Sequence, residues 1–237
     1  METQENHPPV SLEEMSAFFN ERANRYDKVH IEHIGGGMES KKIIASFLPE
    51  NTRALIDLGI GTGLELEEIF VRFPEAEVTG LDVAEDMLRQ LRLKYTGRNI
   101  TLYNASYLDF DLGSCAYDAA LSVMTLHHYS HEVKTGIYRR ILRCLKEDGV
   151  YIECDYMLSE HDHDNAQEME DFHFSEYERI KKELGINDGR EYHYDTPCTV
   201  SNQKRMLLDA GFASVREAWR VPHNVILVAS KGGRISV

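Results

Sequence analysis

From residue 54 onward the chain alternates short apolar runs with stretches whose apolar residues recur every three or four positions. The runs at 54–58, 78–82, 100–103, 117–123 and 150–155 read as strands buried in a parallel sheet. Between them, 85–95 turns Met87, Leu88 and Leu91 inward as a helix, and 132–145 does the same with Val133, Ile137, Ile141 and Leu145. Lys146-Glu147-Asp148-Gly149 closes the second of these helices, with Gly149 suited to a left-handed cap. Upstream, Ser11 and Glu14 have capping-box spacing, and Met15, Phe18, Phe19 and Arg22 then share one helical face. Tyr26-Asp27 follows, then Gly35-Gly36-Gly37 as a hinge, then a helix with Ile43, Ile44 and Phe47. Strand and helix in alternation predict a doubly wound α/β domain, with the first helix outside its core unit.

The run at 54–58 breaks into Gly59, Gly61 and Gly63, and a helix resumes at Leu64. Glycine at these places admits dihedrals closed to other residues, and it lets a ligand reach the backbone of a strand–turn–helix junction. The run at 78–82 ends in Asp82, nineteen residues past Gly63, where a βαβ unit places an acid for the hydroxyls of a ribose. Together these features indicate a nucleoside-containing cofactor. The dinucleotide pattern G-x-G-x-x-G needs glycine at position 64, which is Leu64; the spacing here is G-x-G-x-G, preceded by Asp57.

Asp57-Leu58-Gly59-Ile60-Gly61-Thr62-Gly63 with Asp82 resembles the first two motifs of class I S-adenosylmethionine-dependent methyltransferases of the small-molecule type. Ser122-x-x-x-Leu126-His127-His128 is similar to their fourth motif, Leu145-Lys146-Glu147-Asp148-Gly149 to their helix-to-strand turn, and Leu207-Leu208-Asp209-Ala210-Gly211-Phe212 to the helix end before their last strands. The resemblance implies seven strands, mostly parallel with the last antiparallel, and places the sixth and seventh at 214–219 and 225–229. It also implies an N-terminal helical lid ending in the Tyr26-Asp27 pair. S-adenosylmethionine contacts are then expected from Tyr26, Asp57, Gly59, Gly61, Gly63, Asp82, Met87, Asn104, Ala105, Ser106, Leu121, Ser122 and Leu126. Where relatives carry Asp beside Ala for the adenine amino group, this chain has only Asn104 and Ser106, whose oxygens can still accept.

About forty-five residues, 155–200, separate the fifth strand from the last helix, far more than the ~2–6 of an ordinary βα loop. The expected organisation is a cap at 1–48, a cofactor core at 50–155, a substrate lid at 155–200, and a final helix and hairpin at 201–237. Tyr156, Phe172, Tyr177, Tyr192, His193 and Tyr194 are expected to roof a small acceptor. Candidate catalytic residues are His127, Tyr156 and His193, although a histidine in the fourth motif more often shapes and packs than moves a proton. His161 and His163, with His193 and Asp195, have metal-ligand chemistry, but H-x-H on a solvated loop reads as surface and methyl transfer requires no metal. No metal is expected.

Lys and Arg number 26 against 40 Asp and Glu, a net charge of -14, which disfavours nucleic acid and anionic membranes as partners. Cys115, Cys144, Cys154 and Cys198 form no C-x-x-C pair, no run approaches membrane-spanning length, and the polar start resembles no signal peptide. A cytoplasmic protein with a small-molecule acceptor is expected, open to pairing as a homodimer. Two other readings fit parts of the pattern. A nicotinamide oxidoreductase accounts for the glycines and Asp82 but not for Leu64 or the C-terminal hairpin, and a non-catalytic cofactor-binding scaffold would make 155–200 an interaction surface.

Overall fold

The computed structural model describes residues 12–33, 37–222 and 224–232. In chain order the elements are α1 (Met15–Arg22), α2 (Tyr26–His33), α3 (Gly37–Ile44), β1 (Ala54–Leu58), α4 (Leu66–Arg72), β2 (Glu77–Asp82), α5 (Glu85–Lys94), β3 (Ile100–Asn104), β4 (Tyr117–Val123), α6 (His131–Cys144), β5 (Leu145–Tyr156), α7 (Ala166–Glu183), α8 (Val200–Ala210), β6 (Ser214–Val221) and β7 (Asn224–Ser230). One seven-stranded sheet runs β3-β2-β1-β4-β5-β7-β6. β1 to β5 pair in parallel, while β7 is antiparallel to both β5 and β6. The chain therefore has the doubly wound seven-stranded sheet expected for a Rossmann-like methyltransferase.

Period-two alternation along the strands divides the core between the two faces. Ile56 and Leu58 of β1, with Leu227 of β7, pack under α6 and α8 beside Ile137, Ile141, Met206 and Leu207. Leu55 of β1 and Ile226 of β7 face the other way, against Ile44, Leu66, Ile69, Leu88 and Leu91 of α3, α4 and α5. Strand order reverses between β1 and β4, so the carboxyl ends of β2, β1 and β4 open a crevice where ligands bind in such sheets.

Two local expectations change. Gly149 does not cap α6, whose C-cap Leu145 is extended at φ -71° and ψ 144°. Leu145 is fully buried and already pairs with Tyr117, so the strand begins at once and the left-handed cap falls instead to Gly211 after α8, at φ 110°. Glu14, not Ser11, caps α1 by accepting from the Ser16 N–H. Ser11, Gly35 and Gly36 lie outside the described residues, while Gly37 opens α3.

Candidate active site

The turn after β1 needs its glycines. Gly59, Gly61 and Gly63 stand at φ 72°, 52° and 67°, in the left-handed region that costs other residues steric strain. The N–H groups of Gly59 and Ile60 both donate to the Leu81 carbonyl, at 2.8 and 3.0 Å, and pull the turn onto β2. A Cβ at Gly59 would stand 2.3 Å from Thr125 Oγ1, whereas at Gly61 it would meet nothing closer than 4.0 Å. The open side of Gly61 faces a cavity lined by Met15, Phe19, Tyr26, Gly59, Asp82, Met87, Tyr107, Met124, His128 and Glu191.

Asp82 closes this turn from β2. Its Oδ2 accepts the Gly61 N–H and its Oδ1 the Ala84 N–H, each at 2.8 Å. Each carboxylate oxygen keeps lone-pair capacity for a further donor from the cavity. Burial pushes the group up to about 6, against the pull of those backbone N–H groups.

Of the other residues expected at the cofactor, Tyr26 and Met87 line the same cavity. Asn104, Ala105 and Ser106 line an adjoining recess with Glu14, Ser16, Val83 and Arg190. Asp57, Gly63, Leu121, Ser122 and Leu126 are absent from both linings. Asp57 is fully buried behind the turn, where burial and then the Glu65 carboxylate hold it well above the usual range. Ser122 is committed to Tyr151 Oη at 2.6 Å, and Leu121 and Leu126 are core residues on opposite faces.

Met124, at the end of β4, is one of two non-glycine residues at positive φ (53°) among the described residues. It lines this cavity and a second one, a cleft of about 460 Å³ whose walls include Phe18, Phe19, Arg22, Arg25, Tyr26, His127, His128, His193 and Asp195. Of the six aromatic residues expected in an acceptor roof, His193 alone lines this cleft. Phe172 is 60% exposed, and Tyr177 and Tyr192 line a separate groove. The aromatic cover comes instead from α1 and α2: Phe18 stacks on His193 with centroids 3.5 Å apart, and Phe19 and Tyr26 contact each other edge to face.

His127 is fixed from behind, its Nδ1 lying 2.5 Å from Asp155 Oδ1. Asp155 is itself held by the Leu126 and Tyr156 N–H groups, both at 2.9 Å. Asp195 Oδ1 lies 3.5 Å from His127 Nε2, 3.3 Å from His128 Nδ1 and 3.9 Å from His193 Nε2. Burial disfavours a charged His127, but Asp155 and Asp195 outweigh it and carry the ring up to about 9. The ring is thus already protonated at neutral pH, the wrong state for a general base. Burial lowers His128 and takes His193 down to about 4, while the flanking histidines hold Asp195 well below the usual carboxylate range despite its burial. Tyr156 meets His127 edge to face at 6.1 Å from outside the cleft lining. Histidine and carboxylate donors come within mutual reach at His127, His128 and Asp195, and with Cys198 at His131 and Glu170, rather than around His161 and His163.

The two segments over the cavities are joined by backbone. Met15 N–H donates to the Glu191 carbonyl and His193 N–H to the Glu13 carbonyl, both at 2.9 Å, which makes an antiparallel bridge of Glu14 with Tyr192. Glu191 also reaches into the cavity at Gly61, where its carboxylate accepts from Ser106 Oγ at 2.6 Å and from Tyr129 Oη. Sequence reasoning missed Glu191 and Tyr107, and no local signal marks them; the partners of Glu191 lie 62 and 85 residues away.

Residues 55–149 match the family model described as a methyltransferase domain. A carboxy-S-adenosyl-L-methionine synthase of Nautilia profundicola is 24% identical over 224 residues, 92% of this chain and 93% of the relative. A trans-aconitate 2-methyltransferase of Rhodopseudomonas palustris is 29% identical over 112 residues, 47% of this chain and 41% of the relative. The human N-acetylserotonin methyltransferase, solved with its bound cofactor, superposes with a TM-score of 0.64 at 13% identity, covering 92% of this chain and 57% of that one. No helix among the described residues is long and apolar enough to cross a membrane. Residues 55–149 are thus a methyltransferase domain, and the glycine turn, Asp82 and the seven-stranded sheet are those expected of the class I S-adenosylmethionine-dependent type.

Proposed function

We propose that the acceptor is a small molecule carrying an anionic or acidic oxygen, bound in the cleft between α1, α2 and the histidine cluster. One observation carries this reading: the cleft shares Phe19, Tyr26, Met124 and His128 with the cofactor cavity, so a molecule held in it lies next to the cofactor. Arg22, Arg25 and the protonated His127 outnumber the Asp195 carboxylate in its lining, in a chain of net charge -14, and Phe18 and Phe19 supply apolar walls. S-adenosylmethionine supplies a methyl group already activated on a sulfonium. The chain's own residues then orient an acceptor in line and exclude water.

Gly61 and Asp82 fit the cofactor: one is open to the cavity at its missing side chain, and the other is a buried carboxylate with acceptor capacity left over. Tyr26, Met87, Asn104, Ala105 and Ser106 would complete its surroundings. Met15, Phe19 and the 191–195 strand act as a cover whose two halves are tied by the Glu14–Tyr192 bridge. Nucleic acid and folded protein are too large to enclose there and are expected to be poor acceptors.

The near full-length likeness to a carboxy-S-adenosyl-L-methionine synthase supports a second reading, in which the cofactor itself is modified. One experiment separates the two. Purified protein is incubated with S-adenosylmethionine and a panel of small carboxylic and phenolic acids, and both acceptor and cofactor pools are analysed by mass spectrometry. Acceptors heavier by a methyl group, with S-adenosylhomocysteine formed in step, support methyl transfer. A carboxylated cofactor without methylated acceptor supports the second reading and overturns the first.

A further inference from the structure

We propose that His127, His128 and Asp195 form a binding site for one divalent transition-metal ion, with His193 as an additional donor. Its open coordination positions face the cleft. Donor spacing is the first argument. Around a tetrahedral ion with bonds of roughly 2.0–2.2 Å, neighbouring donor atoms stand about 3.4 Å apart. Asp195 Oδ1 stands 3.5 Å from His127 Nε2, 3.3 Å from His128 Nδ1 and 3.9 Å from His193 Nε2, and His128 Nδ1 would exchange its 3.2 Å bond to the Tyr194 carbonyl for the ion.

Simple pairing of a carboxylate with an imidazolium closes to about 2.7–2.9 Å. In the same cluster Asp155 comes to 2.5 Å from His127. Asp195 does not close on any of its three rings, and its Oδ1 is buried with no hydrogen-bond partner. An atom so placed answers to a cation held between the rings better than to any one ring.

The support behind the donors is the second argument. A metal-bound histidine commonly gives its other ring N–H to a carboxylate, which fixes the ring and raises its basicity. His127 has such a partner in Asp155, which is 1% exposed and anchored by two backbone N–H groups, and a bound ion would take the place of the Nε2 proton that otherwise makes this ring cationic. Two imidazoles and a carboxylate without sulfur suit zinc, cobalt or ferrous iron, and three protein donors leave positions for solvent or substrate.

Placement is the third. His128 lines both the cofactor cavity and the cleft, so an acceptor oxygen taken as a ligand there would be held beside the cofactor. This last step rests on the proposed methyl transfer, and it narrows the acceptor to a molecule with a hydroxyl or carboxyl oxygen able to ligate a metal. The ion binding itself does not depend on that reading.

The test uses the full chain, stripped with a chelator and titrated with Zn²⁺ or Co²⁺ by calorimetry and visible absorption. One equivalent per chain is expected, with a Co²⁺ spectrum of nitrogen and oxygen donors. Asp155→Asn should weaken binding about 10–100-fold, and His128→Gln or Asp195→Asn by about a hundredfold or more. Melting curves and S-adenosylhomocysteine titrations on the same samples report folding and cofactor binding separately. His131→Gln, in the other donor cluster, should change nothing. No stoichiometric binding to the wild type, or unchanged binding in both His128→Gln and Asp195→Asn, overturns the site. So does loss confined to His131→Gln with a thiolate charge-transfer band, which would place the ion at His131, Glu170 and Cys198. Metal binding without S-adenosylhomocysteine binding would leave the site standing and refute the methyl-transfer reading.

Discussion

Asp82→Asn isolates the carboxylate charge from the shape of the turn. Each Asp82 oxygen accepts one backbone N–H at 2.8 Å, from Gly61 and from Ala84. An amide has a single acceptor oxygen, so its NH₂ must oppose one of those donors, at a cost of about 1–3 kcal/mol. Against this, burial has raised the carboxyl from 3.8 to about 6, so keeping it ionised at neutral pH costs about 3 kcal/mol that the neutral amide does not incur. The two terms nearly cancel, and the unliganded protein should melt within a few degrees of wild type. Cofactor binding has no such offset. Each hydroxyl that would hydrogen-bond to the charged oxygens contributes about 1.5–3 kcal/mol, so losing one weakens binding at least about tenfold and losing both about a hundredfold or more. Calorimetric titration with S-adenosylhomocysteine, alongside thermal melting, measures both quantities. Wild-type affinity in a normally melting variant would refute the assignment of Asp82 to the ribose.

Four further outcomes are expected. Gly61→Val should fold, because its Cβ meets no atom within 4 Å beyond the Gly59 carbonyl and the positive φ costs about 1–2 kcal/mol, yet it should abolish cofactor binding by titration. Cofactor affinity should fall as pH drops through about 6 and Asp82 takes up its proton. The contribution of Asp82 to unliganded stability should rise over the same window down to about 4, because the folded pKa lies above the unfolded one; both trends are read against Asp82→Asn, where they should vanish. Lys134→Met removes a fully buried cation 3.1 Å from Cys198 and leaves the buried Glu153 without it, so stability should fall by about 3 kcal/mol and the melting temperature by about 6–12 °C. Hydrogen exchange at 12–33 and 187–196 should slow together when S-adenosylhomocysteine is added; slowing in one segment alone would contradict a joint cover.

What the sequence made legible was whatever is local. The turn at Gly59, Gly61 and Gly63 and its distance to Asp82 are set within one βαβ unit, so spacing alone brings them together. The same holds for α5 and for Ile137 and Ile141 of α6, whose inward faces repeat within a single helix, although Val133 is exposed and Lys134 takes the buried place beside it. The acceptor side is not local. His127 and Asp155 meet because β4 and β5 are neighbours, Asp195 arrives from beyond α7, and no periodicity relates the three. Residues 155–200 were expected to roof the cleft with aromatic side chains, but Phe172 of α7 points to solvent and the roof is built by Phe18, Phe19 and Tyr26. Aromatic content names residues that can cover a site without saying which segment reaches it.

The way the cover is attached bears on how the two cavities work together. Among the described residues of α1 and of the short helical turn that follows it, Met15 and Ala23 are the buried ones. The cap is otherwise tied at its edges, by Asn20 to the Asp86 N–H, by Asn24 to Gln90, by Asp27 to Lys94 at 2.7 Å and to the Thr62 hydroxyl, and by the two backbone bonds to 191–193. The neutral hydrogen bonds contribute about 0.5–1.5 kcal/mol each and the partly exposed Asp27–Lys94 pair about as much, small beside the burial of the sheet's two apolar faces, so the cap can open while the sheet stays folded. His193 and Asp195 are continuous with the strand tied to that cap, whereas His127 is fixed by Asp155 on β5. On the proposed reading, lifting the cover to admit cofactor also draws His193 away from His128, while Asp195 stays beside the histidines because the Thr196 N–H donates to the His127 carbonyl at 2.7 Å. The acceptor site then lacks His193 until the cofactor is enclosed, and an acceptor that contacts His193 arrives second.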